Sequence, residues 1–195
     1  MWHLKKQKVK SDAASSRPSV VKNMPTANSR NRFDKKDSLA QGNHAEDLFV
    51  LTAVKDGWKI SASTKEQNID EHWDFLIEKE NQVHKVEVKS EKRIERNDGA
   101  AQENFIWVEL RNVRGKVGWL FGKADLIAFE TANSFLFVQR RDLLTVVNQK
   151  VDLVAKVKSA KEALYKIYTR SGRKDKLTLL PIQDLTPIIF MKWKT

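Results

Sequence analysis

The sequence predicts an α/β protein, and three features carry that expectation. A helical-period run over Ala45, Leu48, Phe49 and Thr52 precedes three stretches of strand character. The third of these ends in Glu87-Val88-Lys89, with an acid and a lysine on one strand face. Further strand and helix signals then continue to the C-terminus. With 195 residues, the chain is long enough for one domain with a proper core plus extensions.

The elements follow in order. Residues 1–38 hold ten Lys/Arg against three Asp/Glu, a net of +7 out of the chain's +11. This segment is rich in Ser, Asn and Lys, has no apolar periodicity and includes Pro18 and Pro25, so a disordered basic arm is expected there. A folded domain is expected over 39–195. Asn43-His44-Ala45-Glu46 has the form of a capping box, and Gly57 would stop the helix that follows. Trp58 to Ser63 reads as a first strand, and the stretch 72–89 as a hairpin. Residues 91–104 are charged, contain Asp98-Gly99 and read as a loop. Phe105 to Leu110 is another strand, followed by a loop over 112–122 with three glycines. Asp125 to Glu130 and Ser134 to Gln139 read as strands joined by a tight turn. A helix is expected over Arg141 to Gln149, a second around Ala160 to Tyr168, and a last strand over Leu177 to Ile182.

The hairpin carries the chemistry. Two apolar stretches, His72 to Ile77 and Val83 to Lys89, flank the polar Glu78 to Gln82. A turn centred between Glu80 and Asn81 would pair Asp74 with Glu87, their Cβ atoms about 5 Å apart on one face. Side chains alternate along strands, so Lys89 shares that face while Phe75, Ile77, Val86 and Val88 point into a core. Carboxylates so placed repel unless a cation lies between them, and hard oxygen ligands suit Mg²⁺ or Mn²⁺. A lysine beside such an ion can hold water or phosphate and stabilise charge developing in phosphodiester cleavage. The alternative is a solvated hairpin face with alternating charges. Asp70 competes with Asp74 for the metal role but sits in the wrong register. His72 should lie opposite Lys89, either as a phosphate contact or acid or as an ordinary strand residue; Glu109 and Asp125 sit at strand positions that either border the site or serve the structure.

This order of elements resembles the PD-(D/E)xK nuclease superfamily, on Glu46 of the first helix, Asp74 of the second strand, and Glu87 and Lys89 of the third. The resemblance covers roughly residues 40–140. Two further stretches, Val113 to Phe129 and Tyr165 to Leu180, look similar to small phage-encoded members. The proline usual before the first acid is Trp73 here. The resemblance implies a restriction-endonuclease-like mixed sheet flanked by helices. It also implies Mg²⁺ (or Mn²⁺) on Asp74 and Glu87, a lysine that aids the attacking water, and outer support from Glu46.

The overall charge of +11 points to polyanionic partners. Arg111, Arg114 and Lys116 flank the glycine-rich loop, and Arg170, Arg173 and Lys174 form a second cluster, both candidates for phosphate contact. Trp107 and Trp119 are candidates for stacking on bases, with core packing the competing role. The expected function is a Mg²⁺-dependent DNA endonuclease acting on branched or replicating DNA as a homodimer. The alternatives are a non-catalytic nucleic-acid-binding protein of the same fold, or a protein-binding regulator of a host nuclease. The lack of cysteine suits a reducing cytoplasm and excludes thiolate metal sites. Met1 to Lys6 hold no apolar run long enough for a signal peptide, and no later segment reads as a membrane span.

Overall fold

A computed structural model describes residues 36–94, 98 and 101–195, with side chains from residue 42 onward. Helix α1 (Lys36–Lys55) leads into three strands, β1 (Lys59–Ala62), β2 (Phe75–Lys79) and β3 (Gln82–Lys89). After β4 (Phe105–Arg111) come β5 (Leu126–Thr131), β6 (Ser134–Gln139) and helix α2 (Arg140–Lys150). The chain ends through β7 (Asp152–Val157), β8 (Lys166–Tyr168), β9 (Lys176–Pro181) and β10 (Ile189–Lys194). The protein is thus α/β, with mixed sheets flanked by helices.

Two sheets form. The larger has the order β1-β2-β3-β5-β6-β10, in which only β3 and β5 run parallel; the smaller has the order β4-β9-β8-β7. Strand β4 lies on the crossover from β3 to β5 and belongs to the second sheet. The two faces of the larger sheet bury different cores. On one face α1 lays the i, i+4 stripe Ala45, Phe49 and Ala53 over Phe75, Ile77, Val86, Phe135, Phe137 and Trp193. On the other, Ile127, Phe129 and Val138 meet Leu143, Val146 and Val147 of α2 and Ile106, Val108 and Leu180 of the second sheet.

Most strands lie where the alternation of apolar residues places them. The departures have physical causes. Helix α1 starts at Lys36, so Asn43 is inside it rather than capping it, and Lys36 to Ser38 are helical rather than part of an arm. The rest of that arm, residues 1–35, lies outside the described residues. The helix expected over Ala160 to Tyr168 is instead a 3-10 turn, Ala160–Glu162, followed by β8. Its helix-forming composition loses to pairing with β9. The Ala163 carbonyl accepts Leu179 N–H at 3.1 Å and Thr178 Oγ1 at 3.4 Å, while Tyr165 takes a left-handed φ of 54°. Strand β9 is not the last, because β10 follows Pro187 and closes the larger sheet on β6. At the open edge of the smaller sheet, Asp152 Oδ1 accepts the N–H groups of Val154 and Ala155, both at 2.9 Å, and Val154 is 85% exposed.

Phe49 is fully buried and meets four rings, with centroids 5.2–5.9 Å away on Phe75, Phe135, Phe137 and Trp193. Phe49→Ala is expected to cost about 3–5 kcal/mol of stability. A urea midpoint within error of wild type would show that α1 does not depend on this ring.

Candidate active site

The β2–β3 hairpin sets the site. Lys79 pairs with Gln82 across a two-residue turn, and Phe75 pairs with Val86. That register puts Asp74 opposite Glu87. The Asp74 backbone extends the ladder one residue past β2, its N–H donating to Val86 O and its carbonyl accepting Ser63 N–H, both at 2.8 Å. Glu87 and Lys89 pair with Ile127 and Phe129 of β5, so they face the second sheet and α2 rather than α1.

The geometry within this trio is tight. Asp74 is 1% exposed and Glu87 is fully buried. Lys89 Nζ lies 2.5 Å from Glu87 Oε1, with the lysine side chain 22% exposed at the rim. Asp74 Oδ2 accepts Val88 N–H at 2.8 Å, and Oδ1 accepts Asn68 Nδ2 at 2.7 Å. Each carboxylate oxygen can accept more than one hydrogen bond, so these two bonds fix the group without exhausting its lone pairs. Lys89 Nζ also sits 5.4 Å from the Trp119 ring centroid. Trp119 is buried against Phe129, so it closes the core beside the lysine and is not a free platform for bases.

The approach to Asp74 is a built turn. Thr64 and Gln67 cap it reciprocally, Gln67 N–H donating to Thr64 Oγ1 at 3.2 Å and Thr64 N–H to Gln67 Oε1 at 2.9 Å. A π-helical turn, Gln67–Glu71, follows and ends at His72 with φ of 57°. Gly122 presses onto this turn, where a Cβ would come within 2.6 Å of His72 Cβ and 2.7 Å of Glu71 O. A side chain at position 122 would therefore push the turn that carries Asp74 out of place. Asp70 is exposed on the same turn, and Asp125 Oδ2 accepts Lys85 N–H at 2.9 Å, a strand-end role.

Glu46 is 9% exposed on α1, the helix covering the opposite face of the sheet. Glu91 and Glu130 meet at the C-terminal end of β3, Glu91 N–H donating to Glu130 Oε2 at 3.2 Å. Burial, then the charges of Glu130 and Glu103, push the Glu91 carboxyl up. Burial also raises Glu130, against the lowering by Glu91 N–H, His44 and Lys92. Neither acid stood out in the sequence, because their encounter depends on the parallel β3–β5 pairing. Among the described residues, no three or more His, Asp and Glu side chains gather as a metal-holding group.

The two basic clusters, far apart in sequence, come together. Lys174 N–H points at Val113 O at 3.4 Å, and Arg111 pairs with Lys176 across β4 and β9. Asn112 Oδ1 holds the turn by accepting Arg114 N–H at 3.0 Å and Lys116 N–H at 3.1 Å. Gly115, with φ of 81°, lies over Lys174, whose Cβ a methyl group there would meet at 3.2 Å. Arg173 N–H donates to Arg170 O at 3.0 Å, which places it in the adjoining turn. Arg170 itself is tied by its N–H and Nε to the buried Asp175 carboxylate, a structural bond. Trp107 is half-buried on the outer face of the second sheet, its ring 5.8 Å from that of Tyr168.

No family model, curated protein sequence or solved structure matches the chain. Among the described residues no helix is long and apolar enough to cross a membrane.

Glu71 offers a test of the turn. Its carboxylate accepts Trp73 Nε1 at 2.8 Å and Lys123 Nζ at 3.0 Å, which hold its pKa down at about 2 from an ordinary 4.5. A lowered value means that ionised Glu71 stabilises the fold above about pH 4.5, a contribution lost as pH falls toward 2. Glu71→Gln should remove that part of the acid dependence of urea stability. An NMR titration of Glu71 centred at the ordinary value would contradict the turn's geometry.

Proposed function

We propose that the protein is a Mg²⁺-dependent DNA endonuclease of restriction-endonuclease-like fold, acting through Asp74, Glu87 and Lys89. The observation that carries this reading is the placement of two buried carboxylates and an ammonium on one face of a hairpin whose register leaves no slack. Mg²⁺ binds through one or two carboxylates and keeps several waters, so this donor set fits it better than it fits a closed nitrogen–sulfur cage. Asp74 and Glu87 would hold the ion, which when bound supplies charge stabilisation at a phosphoryl oxygen and a more acidic water.

The chain's own groups do the rest. Val88 N–H and Asn68 hold the Asp74 carboxylate in one orientation. Lys89 stands at the rim on Glu87, where its ammonium can pass to a phosphate oxygen or a water as negative charge grows there. Trp119 and Phe129 keep the inner side of the lysine dry, which strengthens its charge interactions. The merged basic surface of Arg111, Arg114, Lys116, Arg173 and Lys174 would track the phosphate backbone, and Glu46 would give outer support. Symmetric incision of a branched substrate needs two such sites, hence a homodimer.

One observation favours a second reading. Lys89 already meets Glu87 at Oε1, and both Asp74 oxygens have partners, so the three side chains are also held as a structural unit. On that reading the protein binds nucleic acid without cleaving it.

Supercoiled plasmid and a labelled four-way junction separate the two. With Mg²⁺ or Mn²⁺ the wild type should cleave, and Asp74→Ala and Lys89→Ala should each lose about 100-fold or more of the rate. Tight binding with no cleavage in either metal would leave only the second reading. Replacing Arg114, Lys116 and Lys174 by Ala should weaken binding across sequences. Each lost phosphate contact should reduce the salt slope of log K by about 1. An unchanged slope would move the interface elsewhere.

A further inference from the structure

The turn ahead of the hairpin buries a side chain that neither the strand ladder nor the ion pair accounts for. Asn68 is 1% exposed within the π-helical turn, and its Nδ2 donates to Asp74 Oδ1 at 2.7 Å. A carboxylate only accepts, so the amide nitrogen must face Asp74 and the amide oxygen must face elsewhere. That oxygen, Oδ1, is buried and meets no hydrogen-bond donor among the described residues. A buried acceptor left unmet is destabilising, and native proteins seldom keep one without a water, ion or ligand to meet it. A planar amide fixes its oxygen beside its nitrogen. The unmet acceptor therefore lies next to the Asp74 carboxylate.

We propose that Asn68 belongs to the cation site: Nδ2 pins Asp74, and Oδ1 accepts a hydrogen bond from a water carried by a divalent ion on Asp74 and Glu87. This rests on the metal-dependent reading above. Asn68 is a positioning residue, acting on the ion through Asp74 and through bound water. The strand face supplies two acids, and the π-helical turn Gln67–Glu71, entered through the Thr64–Gln67 cap, supplies the neutral oxygen. An ion that keeps several of its waters needs acceptors of this kind around it as well as direct ligands.

Mn²⁺ binding, followed by electron paramagnetic resonance of the free ion with the full chain and no nucleic acid, tests this directly. Wild type should bind Mn²⁺, Asp74→Ala should lose the site, and Asn68→Ala should weaken it by about 10-fold or more. Asn68→Asp keeps the shape and the oxygen but sets a second negative charge against Asp74. It should melt lower than wild type without metal and gain more from Mn²⁺ than wild type does. It also decides the matter if Asn68→Ala does not fold. A folded Asn68→Ala with wild-type Mn²⁺ affinity, or an Asn68→Asp whose lost stability Mn²⁺ does not restore, would make Asn68 purely structural. If wild type and Asp74→Ala bind Mn²⁺ alike, or neither binds, the metal reading fails and this inference with it.

Discussion

The two-residue turn between Lys79 and Gln82 sets which face of the sheet Asp74, Glu87 and Lys89 occupy. Side chains on a strand alternate with a period of two, so a slip of one residue would carry Glu87 and Lys89 to the face under α1. It would also bring Val86 and Val88 out of the apolar cluster built on Phe49. The same register therefore seats the aromatic core on one side of the sheet and the charged trio on the other. Packing and chemistry cannot be varied independently here. The turn does this at some strain, since Glu80 holds a left-handed φ of 54° that favours glycine.

Burying two carboxylates beside a sheet is costly, and the surroundings show how the cost is offset. Glu87 has no exposure and takes the Lys89 ammonium. Asp74 is held by a backbone N–H and an amide N–H. The two acids are thus held differently, one by a movable charge at the rim and one by fixed dipoles in the interior. Fixed dipoles preserve orientation when a charge nearby changes, whereas the lysine can turn away. Removing one partner of a buried pair costs more than the pair contributes, which makes the arrangement sensitive to single substitutions.

Much of this was legible in the chain. Alternation of apolar residues over 72–89 locates the hairpin and its register, because a half-buried strand has one solution for which side faces the core. The remaining elements were harder where local preference and tertiary pairing disagree. Residues 160–168 have helical composition, but β9 offers their backbone a ladder. Strand β10 carries the alternation Met191-Lys192-Trp193-Lys194, a short signal after Pro187 that is easily read as a tail. The turn holding Asn68 had a signature too, since Thr64 and Gln67 have the spacing of a capping box. Asn43 to Glu46 offers a similar pattern inside a helix, where it caps nothing. The meeting of Gly115 with Lys174, or of Glu91 with Glu130, has no local signal because long-range strand pairing creates it.

The edge of the smaller sheet shows how a single side chain can stand in for a missing neighbour. Strand β7 ends its sheet with Leu153 and Val154 turned to solvent, apolar residues on a strand with an open side. Such edges invite a strand from another molecule. Here Asp152 turns back on its own chain and takes up two amide protons, bending the strand where an incoming partner would need it straight. Among the described residues, the guard on this edge is thus a carboxylate rather than a covering helix or loop.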